Sequence, residues 1–556
     1  MADAMSNLTP VVTAAQQSNA QQSAGNNEDA EPEYMTGLPF YLVISSLVLS
    51  CLLVALGASM LGTATPSITT TFHSINDVGW YGSSYLVANC AMMPLTGKIF
   101  TLFELKWTFI AFIAVFEVGT LVAAVSVSST MLIIGRSISG IGGSGIVNGA
   151  VTIITVIRPM AKRPFLIGLL MACVAAGQVA GPLIGGALSE VSWRWCFYIN
   201  LPLGGFAVFF FLVFVKLPAR SSFSDDKTLA QKLASIDFVG FAVFAAACVL
   251  VLMGLEWGGT TYAWDSSVII GLICGGGVLF VIFFGWSMHL KEGALIPTRL
   301  FRDRINLACG ITSVVQSGGV FILMFFLPIW FQGIQNASPV ISGVKILPTI
   351  VSQVIASLLC GASVQKTGYY LPQAVIGNAF VAIASGLFTT FTPSTGAGSW
   401  IGFQILGGVG RGMIMQLLIT AVQANAPPED APVVSSYIMF TQYFGGAVFI
   451  CVGRTVLTSS LTSTIPKDAP SVDPQLVIDT GVTELSEVFH GDLLKQVLQA
   501  YNDSIVDVFY AQLALSAAAF VCSFFLGWRD VRGRKKPTDV ETGSETEKRT
   551  EAGNSR

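Results

Sequence analysis

The chain has 556 residues, of which 53% are hydrophobic and 11% charged, with a net charge of −3. Soluble domains carry about 25% charged residues, so this composition excludes a water-faced globule and assigns most of the chain to lipid. The slightly negative balance leaves no basic footprint for nucleic acid.

Residues 1–37 are polar and rich in Ala, Gln, Ser and Asn. They read as a disordered tail, not a cleavable leader, because no basic stretch precedes an apolar one. A bilayer-crossing helix needs about 20 apolar residues, and fourteen runs qualify. The first six are 40–62, 79–100, 107–127, 131–154, 164–188 and 195–216. Two more, 236–256 and 266–288, precede the last six: 305–331, 338–362, 368–391, 399–424, 432–457 and 507–528. The chain from 532 to 556 reads as a second disordered tail.

Basic residues concentrate on the cytoplasmic side of membrane proteins. With the N-terminus inside, nineteen Lys and Arg, among them Lys98, Lys106, Arg163, Arg299, Arg302 and Lys366, fall in inner links or close to the last span. Arg194, Lys467 and Lys495 fall outside. That bias supports an even number of spans with both termini cytoplasmic. The polar segment 460–506 then lies outside. It carries the acceptor triplet Asn502-Asp503-Ser504, an expected glycosylation site, and a short amphipathic stretch at about 484–500.

Ten cysteines lie mostly within apolar runs and form no CxxC, and three histidines are scattered. These patterns give no expectation of a disulfide framework, a metal site or a cofactor. GxxxxGK[ST], Ser-His-Asp and HExxH patterns are also absent, so neither ATP nor a catalytic centre is expected. Glu117 and Arg136 fall within the third and fourth spans. Intramembrane charge is costly, so the two are candidates for a proton or charge relay, or for a static ion pair. Polar residues inside spans, Asn89, Asn148, Gln178, Gln316, Gln353 and Gln416, are candidates for a substrate cavity; interhelical hydrogen bonds explain any single one as well.

The fifth span reads Gly177-Gln178-Val179-Ala180-Gly181-Pro182-Leu183-Ile184-Gly185-Gly186. Gly177, Gly181 and Gly185 share one helix face, and Pro182 removes a backbone donor. This string resembles the antiporter signature of the major facilitator superfamily. Gly135-Arg136-Ser137-Ile138-Ser139-Gly140-Ile141-Gly142 looks like that superfamily's arginine-and-glycine motif. Ala55-Leu56-Gly57-Ala58-Ser59-Met60, followed by Ala64-Thr65-Pro66-Ser67-Ile68, is similar to the first-span motif of fourteen-span drug:proton antiporters. Pro94–Lys98 with Leu105-Lys106-Trp107, and Trp193–Pro202, resemble its fungal toxin and multidrug efflux branch.

The resemblance covers about 40–530. It implies an all-α membrane protein with the major facilitator fold and 14 transmembrane helices. A six-helix bundle would occupy 38–216, two inserted helices 217–304, and a second six-helix bundle 305–531. It also implies proton-coupled export of small amphiphilic molecules across the cell membrane, the vacuolar membrane being the alternative. An importer of small solutes such as siderophores, or a non-transporting sensor, are the other readings. The family pattern has an acidic residue where this chain has Gly57, and a charge pair near Thr101-Leu102. The expected role of the fifth-span glycines is a sliding seam between the two halves.

Overall fold

The computed structural model describes residues 35–74, 77–215, 228–259, 261–480 and 485–532. The tails 1–34 and 533–556 lie outside the described residues, and so does the test of their expected disorder. Among the described residues fourteen long helices follow one another: α1 Leu38–Ser59, α2 Val78–Leu102, α3 Leu105–Ala124, α4 Ser129–Ile157, α5 Arg163–Val191, α6 Asn200–Phe214 and α7 Phe238–Trp257, then α8 Ser267–Leu290, α9 Arg304–Gly333, α10 Pro339–Thr367, α11 Leu371–Phe388, α12 Ala397–Ile414, α13 Ala431–Asp468 and α14 Gly491–Ser523. Leu61–Phe72 continues α1, and Leu417–Asn425 continues α12.

Thirteen helical segments among the described residues are long and apolar enough to cross a bilayer. The fourteenth element, α2, has 25 residues but buries Ser84, Asn89 and Thr96. It packs against α4, α7 and α13, and a helix enclosed by protein can carry polar side chains that lipid would penalise.

Helices α1–α6 form one bundle, α9–α14 a second, and α7–α8 a hairpin leaning on α2. Glycines show that the bundles repeat each other. A Cβ on Gly140 would strike the α2 backbone at Tyr85, and one on Gly142 would lie 2.6 Å from Phe116 Cα of α3. In the second bundle Gly408 meets Thr349 of α10, and Gly410 would come within 2.6 Å of Gly377 O of α11. Helices α4 and α12 are therefore matched central packers, as parallel repeats require.

The two bundles share one apolar core at the end of the molecule where both described termini lie. It runs from Val43, Met93 and Phe112 to Leu418 and Val433. At the far end the core divides. One cluster gathers Leu56, Met60, Tyr81 and Trp193; another gathers Trp330, Phe388, Trp400 and Phe509. The bundles are thus packed together at the terminal end and separate at the other.

The expected outer segment 460–506 is largely helical where a polar loop is expected. Helix α13 runs to Asp468 and α14 begins at Gly491, leaving 469–490 as the link. The amphipathic stretch mostly becomes the first turns of α14. Leu461 and Ile465 pack in the same cluster as Val497 and Ile505, and Ser460 Oγ donates to Asp507 Oδ2 at 2.6 Å. A 38-residue helix is about 57 Å long, well beyond the ~30 Å hydrocarbon layer, so these helices project from the membrane and tolerate polar residues there.

Candidate functional site

A cavity of about 440 Å³ lies between the bundles. Its floor, toward the closed end, includes Met171, Ser313, Met415 and Met439. Its walls include Gln178, Val179, Phe321 and Tyr443, and toward the far end it is lined by Thr63, Leu183, Gln332 and Val340. Leu183 is 39% and Val340 55% exposed, so the cavity leads toward the end where the bundles separate. Such a mostly apolar wall with a few polar groups suits a small amphiphilic ligand.

Below the floor, helices of opposite bundles touch through glycines. A Cβ on Gly361 would stand 2.8 Å from Phe165 Cα, and one on Gly97 would stand 2.9 Å from Val433 Cα. Ser357 Oγ donates to Gly168 O of the other bundle at 3.1 Å and to Gln416 Oε1 at 2.6 Å. Gln416 Nε2 donates back to Ser357 O at 2.9 Å. The expected single span 399–424 breaks at Met415–Gln416, where this amide is fixed.

Three of the six expected cavity residues, Gln178, Gln316 and Gln353, line the cavity. The other three do not. Gln416 belongs to the seam just described. Asn148 Nδ2 donates to Thr96 Oγ1 at 3.0 Å, tying α4 to α2. Asn89 is buried against the same pair, beside Gly143. Arg411, Met415 and Tyr443, which are not among the expected cavity residues, also line it; Arg411 stands among glycines on α12, a setting that does not tell which way its side chain points.

Glu117 and Arg136 are not brought together, and no static ion pair forms. Arg136 is buried; its Nη1 donates to Gly57 O at 2.8 Å and its Nε to Tyr81 O at 3.1 Å. Its guanidinium carbon lies 4.6 Å from the centre of the Tyr85 ring. Gly57 thus partners Arg136 with a backbone carbonyl at the position where the resemblance places a carboxylate. Glu117 packs against Gly204 of α6, outside the cavity, and neither carboxylate oxygen has a hydrogen-bond partner.

The expected seam role of the fifth-span glycines is also corrected. Gly177 faces Ala55 and Leu52, Gly181 faces Ser59, and Gly185 faces Met60 and Thr63. All are on α1 or its continuation, within the first bundle. Ser59 Oγ donates to Gly177 O at 3.2 Å. The cavity sees the flank of this stripe, Gln178 and Pro182, while Gly186 has open space around it. Asn502 is corrected as well. It is 1% exposed on α14, accepts from Trp330 Nε1 at 2.9 Å and donates to Phe391 O at 3.1 Å. A glycan has no room there.

The sequence profile of the Major Facilitator Superfamily matches residues 47–450. The chain belongs to the Major Facilitator Superfamily. The MFS-type transporter pigP of Monascus ruber is 43% identical over 93% of this chain and 91% of its own length. The efflux pump mlcE of Penicillium citrinum is 42% identical over 93% and 95%. Among solved structures, the superfamily's proton:xylose symporter XylE superposes with a TM-score of 0.56 at 14% identity, covering 88% of this chain and 97% of that one; this likeness concerns the fold. The two bundles and the cavity between them are therefore the major facilitator arrangement, with the α7–α8 hairpin inserted at the bundle junction.

Proposed function

We propose that this chain is a secondary active exporter of small amphiphilic compounds. The observation that carries the reading is the cavity between two bundles that are closed at one end and separate at the other. With both termini cytoplasmic, as the distribution of basic links favours, the closed end is inner and the cavity faces outward. Rocking of the bundles about the glycine seam would expose the same cavity to the inside, which is the alternating-access cycle. Relatives named as efflux pumps at about 40% identity favour export over import.

Protons are the coupling ion in this reading, and the cell membrane is the location. Gly57 leaves the first span without a carboxylate. Glu117, whose oxygens have no partner, is then an intramembrane carboxyl group able to take up and release a proton. The test is accumulation of a fluorescent amphiphilic dye in cells with and without the protein, repeated after the proton gradient is collapsed. Export lowers accumulation in a gradient-dependent way. Raised accumulation would mean import, and no change would mean a sensor; either result rejects the proposal.

A further inference from the structure

Among the described residues, Arg136 and Arg411 are buried within spanning helices, and Lys345 and Arg454 are half-buried in theirs. Arg136, Lys345 and Arg454 have partners. Arg136 donates to two carbonyls. Lys345 donates to Gln335 Oε1 at 2.7 Å and lies near the Phe331 and Trp400 rings. Arg454 stands 3.8 Å from Glu256 and over Phe325. Arg411 on α12 differs. It is 3% exposed and its Nη1 is buried with no hydrogen-bond partner. It lines the central cavity, and the residues lining that cavity include no Asp or Glu.

A guanidinium carries five donors and keeps its charge at any physiological pH. Buried charge is costly unless it is paired and hydrogen-bonded. The glycines on either side, Gly410 and Gly412, pack against α11 and α10, so α12 is held closely at this point. Arg411 thus brings to the lining of the cavity a charge that no acidic group of the lining pairs.

We infer that the central cavity selects amphiphilic organic anions, with a carboxylate or an equally acidic oxygen of the substrate paired to Arg411. The inference rests on the export reading for the identity of the cavity as the substrate site. Two parallel N–H···O bonds from guanidinium to carboxylate are short and charge-assisted. Gln316 Oε1 and Gln353 Oε1, also on the cavity and also without partners, accept from hydroxyl groups on the same molecule. The apolar remainder of the substrate lies against Met171, Phe321 and Met439.

The test uses the full chain, purified in detergent, with dansylaminoundecanoic acid and its methyl ester as fluorescent probes at neutral pH. The wild type is expected to bind the acid at least about tenfold more tightly than the ester. Arg411→Gln is expected to bring that ratio near unity, and Arg411→Lys to retain part of it. Thermal unfolding of each variant reports whether it is folded. If Arg411→Gln does not fold, the wild-type and Arg411→Lys ratios decide. The inference is overturned if the wild type binds no acid, if it binds the ester equally well, or if Arg411→Gln keeps the preference. Efflux of the acid from loaded vesicles is read in parallel. Discrimination in binding without efflux would fail the export reading alone; efflux of both probes without discrimination would fail this inference alone.

Discussion

Replacing Gly361 with alanine tests whether the seam glycines set the balance between the two faces of the transporter. The new methyl carbon would stand 2.8 Å from Phe165 Cα, 2.9 Å from Pro164 O and 3.1 Å from Phe165 N. Ordinary contact between carbon atoms is about 3.5–4.0 Å, so α10 and α5 must separate by about 0.7 Å or more. All three obstructing atoms are backbone, which leaves no side chain to swing aside. Overpacking of this kind costs about 1–3 kcal/mol. The cost falls on the conformer in which the two bundles touch, so it favours the opposite one by about 5- to 150-fold. Alanine also gains about 1 kcal/mol in helix propensity over glycine, but α10 is helical in both conformers and this gain cancels. A cysteine at Ser357, 2% exposed and bonded across the seam to Gly168, reports the change. Ser357→Cys with Gly361→Ala should react with a maleimide several-fold faster than Ser357→Cys alone. Equal rates in two folded proteins would refute the assignment of this seam as the moving contact.

Gly181→Leu should act on the fold of the first bundle, since a side chain there overlaps Ser59; its folded yield should collapse, whereas Gly186→Leu, which meets nothing within 4 Å, should purify as the wild type does. Size-exclusion chromatography separates the two. Arg136→Leu leaves Gly57 O and Tyr81 O without their donor in a dry core, and thermal unfolding should show a loss of about 2–4 kcal/mol; an unchanged midpoint would mean that the arginine is not structural. Glu117→Gln should reduce gradient-driven efflux at least about tenfold and remove its dependence on external pH; retained pH-dependent efflux would exclude Glu117 as the carrier.

The helical architecture was legible because lipid imposes a strong, local rule: about 20 apolar residues per crossing, with basic residues on one side. That rule weakens wherever protein or water replaces lipid around a helix. Helix α2 is enclosed and carries Ser84 and Asn89. The ends of α13 and α14 project beyond the bilayer, so residues 460–468 and 491–506 read as part of a polar outer segment although they are helical. In both places the departure from expectation follows from a change of surroundings that the local composition does not encode.

Side-chain direction was harder to read, because a polar residue in a span has the same composition signature whether it binds substrate or a neighbouring helix. Gln178 and Gln416 illustrate the difference. Gln178 flanks the glycine stripe of α5, about 100° round the helix from Gly177 and near the azimuth of Gly185, so the helical period leaves it at the edge of the α1 contact and the packed structure shows that it reaches the cavity. Gln416 sits at the break in α12, where no period continues, and its two bonds to Ser357 depend on a helix 59 positions away in sequence. The same reasoning explains the glycine motif itself. A face without side chains permits close approach, but the identity of the approaching helix depends on topology, and here α1 takes that place. The seam between bundles uses Gly97, Gly168 and Gly361 instead, single glycines in no repeating pattern. Such isolated close approaches each add little to the barrier against separating the bundles, whereas the continuous α1–α5 stripe packs helices within one bundle.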